Sequence, residues 1–153
     1  MRNINENFKD KVVYQIYPMS FMDTTGNGMG DIRGIISKLN YLKDLGADLL
    51  WLTPVYSSPK NDNGYDIADY YRIDPDFGTM EDFEELLSEA EKRGMGILMD
   101  IVANHTSTEH SWFKKALEGN KKYQDYYVFR GKEFVENHPV TSIFGGDAWE
   151  YIE

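Results

Sequence analysis

The hydrophobic positions change period several times along the chain, and each change marks an element. Residues 12–17 (VVYQIY) are β-branched and aromatic and are closed by Pro18, which predicts a strand. Residues 23–30 mix Thr, Asn and Gly and predict no regular structure. From Asp31 onward apolar residues recur at Ile32, Ile35, Ile36, Leu39, Leu42 and Leu45, the period of a helix, and Gly46 supplies its stop. Residues 49–53 (LLWLT) predict a second strand, ended by Pro54.

Residues 55–78 carry Pro59, Gly64 and Pro75 and predict a long irregular connection. Thr79 with Asp82 reads as a capping box, and Phe83, Leu86, Leu87 and Ala90 continue it as an amphipathic helix up to Gly94. Residues 96–102 are nearly all apolar, as expected of a third strand buried on both faces. Beyond Asn104 this rhythm stops. Residues 107–117 predict a short helix, 126–130 a short strand, and Gly145-Gly146 a turn.

Strand and helix alternating in this way imply right-handed crossovers and a parallel sheet. Two architectures fit three such units: a doubly wound sheet, or the first part of a (β/α)8 barrel. In both, function gathers at the carboxyl ends of the strands. Those ends carry the polar, aromatic and Gly-rich segments of this chain.

Composition narrows the classes. A chain of 153 residues, 41% hydrophobic and 27% charged, has the size and make-up of one ordinary globular domain. It has no cysteine, which excludes disulfides, thiolate metal sites and cysteine nucleophiles. The formal net charge of -10, from 26 acidic against 16 basic residues, argues against a nucleic-acid partner. Residues 1–11 lack the apolar core of a signal peptide, and no stretch approaches the ~18 apolar residues of a membrane span. The expectation is a cytoplasmic, water-soluble protein without a membrane partner.

Three stretches could carry chemistry. In residues 23–31 (DTTGNGMGD), oxygen donors stand at alternate positions: Asp23, Thr25, Asn27, the Met29 carbonyl and Asp31. They suit one hard cation, and calcium is the candidate. Gly34 stands where an EF-hand would place its bidentate Glu, so the loop is not an EF-hand. The other reading is a Gly-rich loop whose Asp31 caps the next helix. A phosphate cradle is disfavoured, because two carboxylates flank the glycines and no Lys-Ser/Thr follows them.

Residues 61–66 (NDNGYD) place a carboxylate, Asp62, near an aromatic, Tyr65. Such a pair suits sugar recognition, the carboxylate accepting from hydroxyls and the ring covering a pyranose face. An ordinary turn at Asn63-Gly64 accounts for the same residues. In residues 100–106 (DIVANHT), Asp100 and His105 stand too far apart for helical metal-ligand spacing, and the three histidines form no H-x-x-x-H pair. Asp100 could equally be an ion-paired residue at a strand end.

Taken together these stretches resemble the α-amylase family of glycoside hydrolases, and within it the α-glucosidase branch. The resemblance rests on residues 13–18 (VYQIYP), 52–59 (LTPVYSSP), 61–70 (NDNGYDIADY), 77–80 (FGTM) and 100–106, in order and spacing. Residues 107–113 (STEHSWF), 123–127 (YQDYY) and 144–151 (FGGDAWEY) continue it, so that it covers about residues 12–152. Residues 23–28 and 63–71 look most like trehalose-6-phosphate hydrolases, with oligo-1,6-glucosidases next and sucrose or maltose α-glucosidases third.

The resemblance implies an α/β fold: the first three βα units of a (β/α)8 TIM barrel, residues 1–104, and the start of a small inserted domain, residues 105–153. It implies a retaining α-glucosidase that releases glucose and glucose 6-phosphate, or one that cleaves isomalto-oligosaccharides. Asp62 would bind hydroxyls at the non-reducing end of the glucosyl unit, and Tyr65 would stack on its ring. His105 would donate to the glucosyl 6-hydroxyl, and Asp100 would hold an arginine near the nucleophile. Asp23, Asn27, Met29 by its carbonyl and Asp31 match the branch's metal loop, in which Thr25 and Asn27 replace an Asn and an Asp common there.

The family's nucleophile, acid/base and third acid follow its fourth, fifth and seventh strands, and no acid in this chain matches those motifs. Residues 1–153 alone are therefore expected not to hydrolyse glycosides. A non-catalytic carbohydrate-binding module is the alternative from another class. A dinucleotide binder is disfavoured, because Gly26, Gly28 and Gly30 lack the fingerprint spacing.

Overall fold

The computed structural model describes residues 8–152. The expectation about a leader segment falls partly on residues 1–7, which lie outside that range. Contacts divide the chain into two compact units, Met1–Ser111 and Trp112–Glu153. Among the described residues no helix is long and apolar enough to cross a membrane.

The first unit is built on three parallel strands, β1 (Val13–Ile16), β2 (Leu49–Leu52) and β5 (Gly96–Met99), in the order β1-β2-β5. The register pairs Gln15 with Trp51 and Trp51 with Leu98. Between β1 and β2 run α1 (Pro18–Phe21), α2 (Ile32–Ser37) and α3 (Leu39–Asp44). Between β2 and β5 run the strands β3 (Tyr56–Ser57) and β4 (Asp69–Ile73) and the helix α4 (Met80–Lys92).

Helices α2 and α4 pack on each other, so both crossovers lie on one face of the sheet. Ile16, Leu50 and Leu52 point to that face and form the core with Ile32, Ile35, Leu39, Leu42, Leu86 and Ala90. Among the described residues strand order advances in one direction, without the reversal that makes a switch point of the doubly wound kind. Alternation places Gln15, Trp51 and Leu98 on the opposite face, where Trp51 is exposed.

Several expectations hold. Gly46 ends its helix with φ +93: its N–H reaches the Lys43 carbonyl and the Ala47 N–H reaches that of Leu42. This crossed pair satisfies two carbonyls that a helix end would leave open. The Gly94 and Met95 N–H groups repeat the arrangement on Glu91 and Ala90. The capping box at α4 is present, Thr79 Oγ1 accepting from the Asp82 N–H and Asp82 Oδ2 from that of Thr79. The turn at Gly145-Gly146 forms with both residues at positive φ, beside a bridge between Thr141 and Asp147.

Other expectations need correction. The helix expected from Asp31 to Gly46 is two helices, broken at Lys38. The Ser37 hydroxyl bonds the Gly34 carbonyl and the Lys38 N–H reaches Ile35, which tightens the turn there. Leu45 and Leu87 are exposed, not core. Pro18 both closes β1 and opens α1, its fixed φ suiting a first helical position. Residues 55–78 are not wholly irregular, because β3 and β4 pair antiparallel.

The third strand stops at Met99 rather than at residue 102, and its residues are half-buried. Among the described residues it pairs only with β2, and no strand lies along its other edge. In the second unit, α5 (Ser111–Leu117) is four residues shorter than expected at its start, and is followed by α6 (Lys121–Gln124) and α7 (Lys132–Asn137). No strand forms over residues 126–130. Their aromatics pack edge-on instead, Tyr126 on Trp112 at 5.2 Å and Tyr127 on Phe113 at 5.1 Å.

Candidate functional site

The carboxyl ends of β1, β2 and β5 deliver Tyr17, Thr53 and Asp100 to one end of the sheet. The Thr53 N–H bonds the Ile16 carbonyl and the Asp100 N–H bonds that of Leu52, so the ladder positions these residues past the strand ends. Thr53 Oγ1 is buried and has no partner among the described residues.

Over this end lies the loop between β3 and β4. Its Tyr65 hydroxyl donates to Asp100 Oδ2 at 2.9 Å. Burial, then the Asp100 hydrogen bond and charge, push the phenol up to about 12. Burial, and then Asp100, also raise the Tyr56 phenol. His105 Nε2 lies 3.1 Å from the Tyr65 carbonyl, which can only accept, so Nε2 carries the proton. Its Nδ1 faces the Asn104 amide nitrogen at 3.4 Å, the complementary arrangement. Three of the four expected sugar-site residues, Tyr65, Asp100 and His105, thus form one connected group.

Asp62 shares their turn through its carbonyl, which accepts the Tyr65 N–H at 2.9 Å. Behind it stand residues that sequence reasoning passed over. Asp66 accepts from the Ser58 hydroxyl and from the Asn61 and Asp62 N–H groups. Burial raises its pKa, but these donors outweigh it and hold the carboxyl below its ordinary value. Buried Asp74 accepts the Lys60 ammonium at 2.8 Å, and Lys60 also reaches Asp76 at 2.8 Å. Lys60 and Asn63 have positive φ, which marks a loop held by its side chains rather than by a ladder. The one available signal was a run of polar residues around Gly64, which did not say which carboxylate faces inward. Tyr70 closes the far side, its hydroxyl facing the Val102 and His105 carbonyls at 2.6 and 3.0 Å.

In the 23–31 loop, Asp23 Oδ1 accepts from the Thr25 and Gly26 N–H groups and the Thr25 hydroxyl, and Oδ2 from the Gly28 N–H. The Gly28 bond first, with the others and against some desolvation, holds the Asp23 carboxyl below its usual range. Asn27 Oδ1 accepts from the Met29 N–H at 2.8 Å. Asp31 caps α2, its Oδ1 accepting from Gly34 and its Oδ2 from the Thr24 N–H and hydroxyl. The capping expected of Asp31 is therefore present. Among the described residues no group of three or more His, Asp or Glu side chains gathers as a metal cluster. A cation here would rest on two carboxylates and neutral oxygens, and that all-oxygen donor set fits a hard ion.

The family model for the alpha-amylase catalytic domain matches residues 15–153. The chain belongs to the alpha-amylase family. Its sequence is 57% identical over 149 residues to a trehalose-6-phosphate hydrolase of Bacillus subtilis, covering 95% of this chain and 27% of that one. It is also 57% identical over 148 residues to an oligo-1,6-glucosidase of Bacillus cereus, covering 95% and 26%. The structure of the trehalose-6-phosphate hydrolase of Bacillus licheniformis superimposes with a TM-score of 0.87 at 59% identity, over 94% of this chain and 26% of that one.

The chain therefore spans about a quarter of the length of these relatives. As a member of the alpha-amylase family it has the first three βα units of the TIM barrel, with the helices outside. The Tyr65–Asp100–His105 group lies at the carboxyl end of its strands, the end that carries active sites in this fold.

Proposed function

We propose that this chain is the N-terminal portion of a retaining α-glucosidase that hydrolyses trehalose 6-phosphate to glucose and glucose 6-phosphate. The observation that carries the reading is the 57% and 59% sequence identity to the trehalose-6-phosphate hydrolases of Bacillus subtilis and Bacillus licheniformis. The site supports it chemically. The Asp62 carboxylate accepts from hydroxyls at the non-reducing end of the glucosyl unit, and the Tyr65 ring covers its C–H face. His105 exchanges the Tyr65 carbonyl for the glucosyl 6-hydroxyl when sugar arrives. Asp100, already taking the Tyr65 hydroxyl, keeps acceptor capacity for an arginine from outside this chain. The 23–31 loop holds calcium through Asp23, Thr25, Asn27, the Met29 carbonyl and Asp31.

A second reading, hydrolysis of isomalto-oligosaccharides, is favoured by the equal identity to the oligo-1,6-glucosidase. The two differ in what lies beyond the glucosyl unit, where a phosphate asks for a cluster of Lys or Arg. Assaying the gene product that carries this chain on trehalose 6-phosphate and on isomaltose decides between them. Activity on isomaltose alone removes the first reading. The isolated 153-residue polypeptide turns over neither, since no acid in it matches the family's three catalytic motifs.

A further inference from the structure

The loop from Ser58 to Ala68 turns back on itself around one carboxylate. Asp66 Oδ2 accepts the Asn61 N–H at 2.9 Å, and Oδ1 accepts the Asp62 N–H at 3.2 Å and the Ser58 hydroxyl at 2.8 Å. The Ser58 N–H is tied to buried Asp74 at 3.1 Å, and the Ala68 N–H to the Ser57 carbonyl at 2.8 Å. Asn63 and Gly64 then take left-handed conformations, and the Asp62 carbonyl receives the Tyr65 N–H. A negative charge thus sits inside a ring of backbone. The peptide groups bonded to it carry the residue that precedes Asp62 and Asp62 itself.

We propose that Asp66 is a positioning residue for the glucosyl site. Through the N–H groups of Asn61 and Asp62 it sets the direction of the Asp62 carboxylate, and through the Asp62–Tyr65 turn the height of the Tyr65 ring. This rests on the sugar-site reading given above. Two consecutive amides on one carboxylate fix the plane of the peptide between them, which a single bond does not. Asparagine at 66 offers one acceptor oxygen and turns an NH2 group on an N–H or on the Ser58 hydroxyl. Asp66 touches no sugar; its effect on binding passes through Asp62 and Tyr65.

Two measurements test this on separate grounds. Amide hydrogen exchange in Asp66→Asn is expected to quicken at residues 61 and 62 by at least about tenfold, the loss of one charge-assisted bond, with the β1–β2 ladder unchanged. Unchanged protection at both amides overturns the proposal. Should Asp66→Asn fail to fold, Ser58→Ala removes the hydroxyl strap on Asp66, together with the acceptor of the Lys60 N–H, and is expected to loosen the same two amides by less. In the active gene product, Asp66→Asn is expected to raise KM about tenfold with kcat within about twofold, the mark of uniform binding lost. The Asp62→Asn/Asp66→Asn double variant is then expected to lose less than the two single losses combined, because only the part carried by Tyr65 remains to be lost, whereas fully additive losses overturn the proposal. A parent protein inactive on every α-glucoside overturns the glucosidase reading instead, and the exchange data still decide the loop.

Discussion

The Tyr65 hydroxyl donates to Asp100 Oδ2 across 2.9 Å, tying the loop after β3 to the end of β5, 35 positions further on. Both groups gain from the bond. The carboxylate receives a donor in a half-buried site, and the phenol is kept protonated, its pKa pushed up to about 12 by burial and by Asp100. The bond also fixes the ring's orientation at one end, leaving its face to present.

That pairing makes a prediction in alkali. A phenol with a higher pKa folded than its ordinary value of about 10 contributes stability that is whole below pH 10 and is lost as pH rises towards 12. Tyr65→Phe removes the titrating group and keeps the ring. The urea midpoint of the native protein is therefore expected to exceed that of Tyr65→Phe at pH 9, and the gap to shrink steadily above pH 10. A gap that stays constant to the highest pH at which both fold would show that the hydroxyl bond is not what stabilises the site.

Capping at α4 gives a second. Thr79→Ala leaves the Asp82 N–H without its acceptor and is expected to cost about 1 kcal/mol, or a fall of about 3 °C in Tm. Thr79→Ser keeps the hydroxyl and is expected to lose less than half of that. Equal losses in the two variants would mean that the threonine methyl, not the cap, carries the effect.

Much of this was legible in the sequence, and the particular residues show why. The α4 start was readable because Thr79 and Asp82 are close in sequence and each satisfies the other. The ends at Gly46 and Gly94 were readable because only a positive φ closes such a helix cheaply. The strands β1, β2 and β5 announced themselves as β-branched or apolar runs. What failed depended on distant partners. The end of β5 is set by where β2 stops, and the strand pair β3–β4 by a register between residues 56–57 and 69–73 that no local pattern encodes. Tyr126 and Tyr127 have strand propensity, but rings ten or more residues away claim them. Tyr65, Asp100 and His105, which the structure connects, were each named from their motifs. The bonds of Asp66 were not legible, because two of its donors are backbone amides, which leave no trace in residue type.

Close packing supplies a third prediction. A Cβ added at Gly34 would lie 2.0 Å from the Met22 carbonyl oxygen and 2.8 Å from its carbon, backbone atoms that cannot swing aside. Alanine in a helix gains about 1 kcal/mol over glycine, but forcing α2 off residue 22 costs about 3 kcal/mol. Gly34→Ala is expected to destabilise by about 2 kcal/mol net. Gly131→Ala, whose Cβ meets nothing within 4 Å, is expected to stay within about 0.5 kcal/mol of the parent. Chemical denaturation of the two variants checks the contrast, and a neutral Gly34→Ala would mean that the α1–α2 contact is looser than described.

The 23–31 loop gives the last, and the choice of variant matters. Asp31 caps α2 through Gly34, so its removal costs stability whether or not a cation binds. Asp23 is half-buried and bonds only within the loop, which makes it the informative position. A cation that binds only the folded chain raises stability by an amount that grows with its concentration, about 2.7 kcal/mol at a hundred times Kd. With two carboxylates among mainly neutral donors, the binding expected is weak. Chelator-treated protein is therefore expected to gain Tm on titration with calcium up to about 10 mM, while Asp23→Ala gains none. A calcium response absent from both proteins, or of equal size in both, would leave the loop as a carboxylate closed on its own amides.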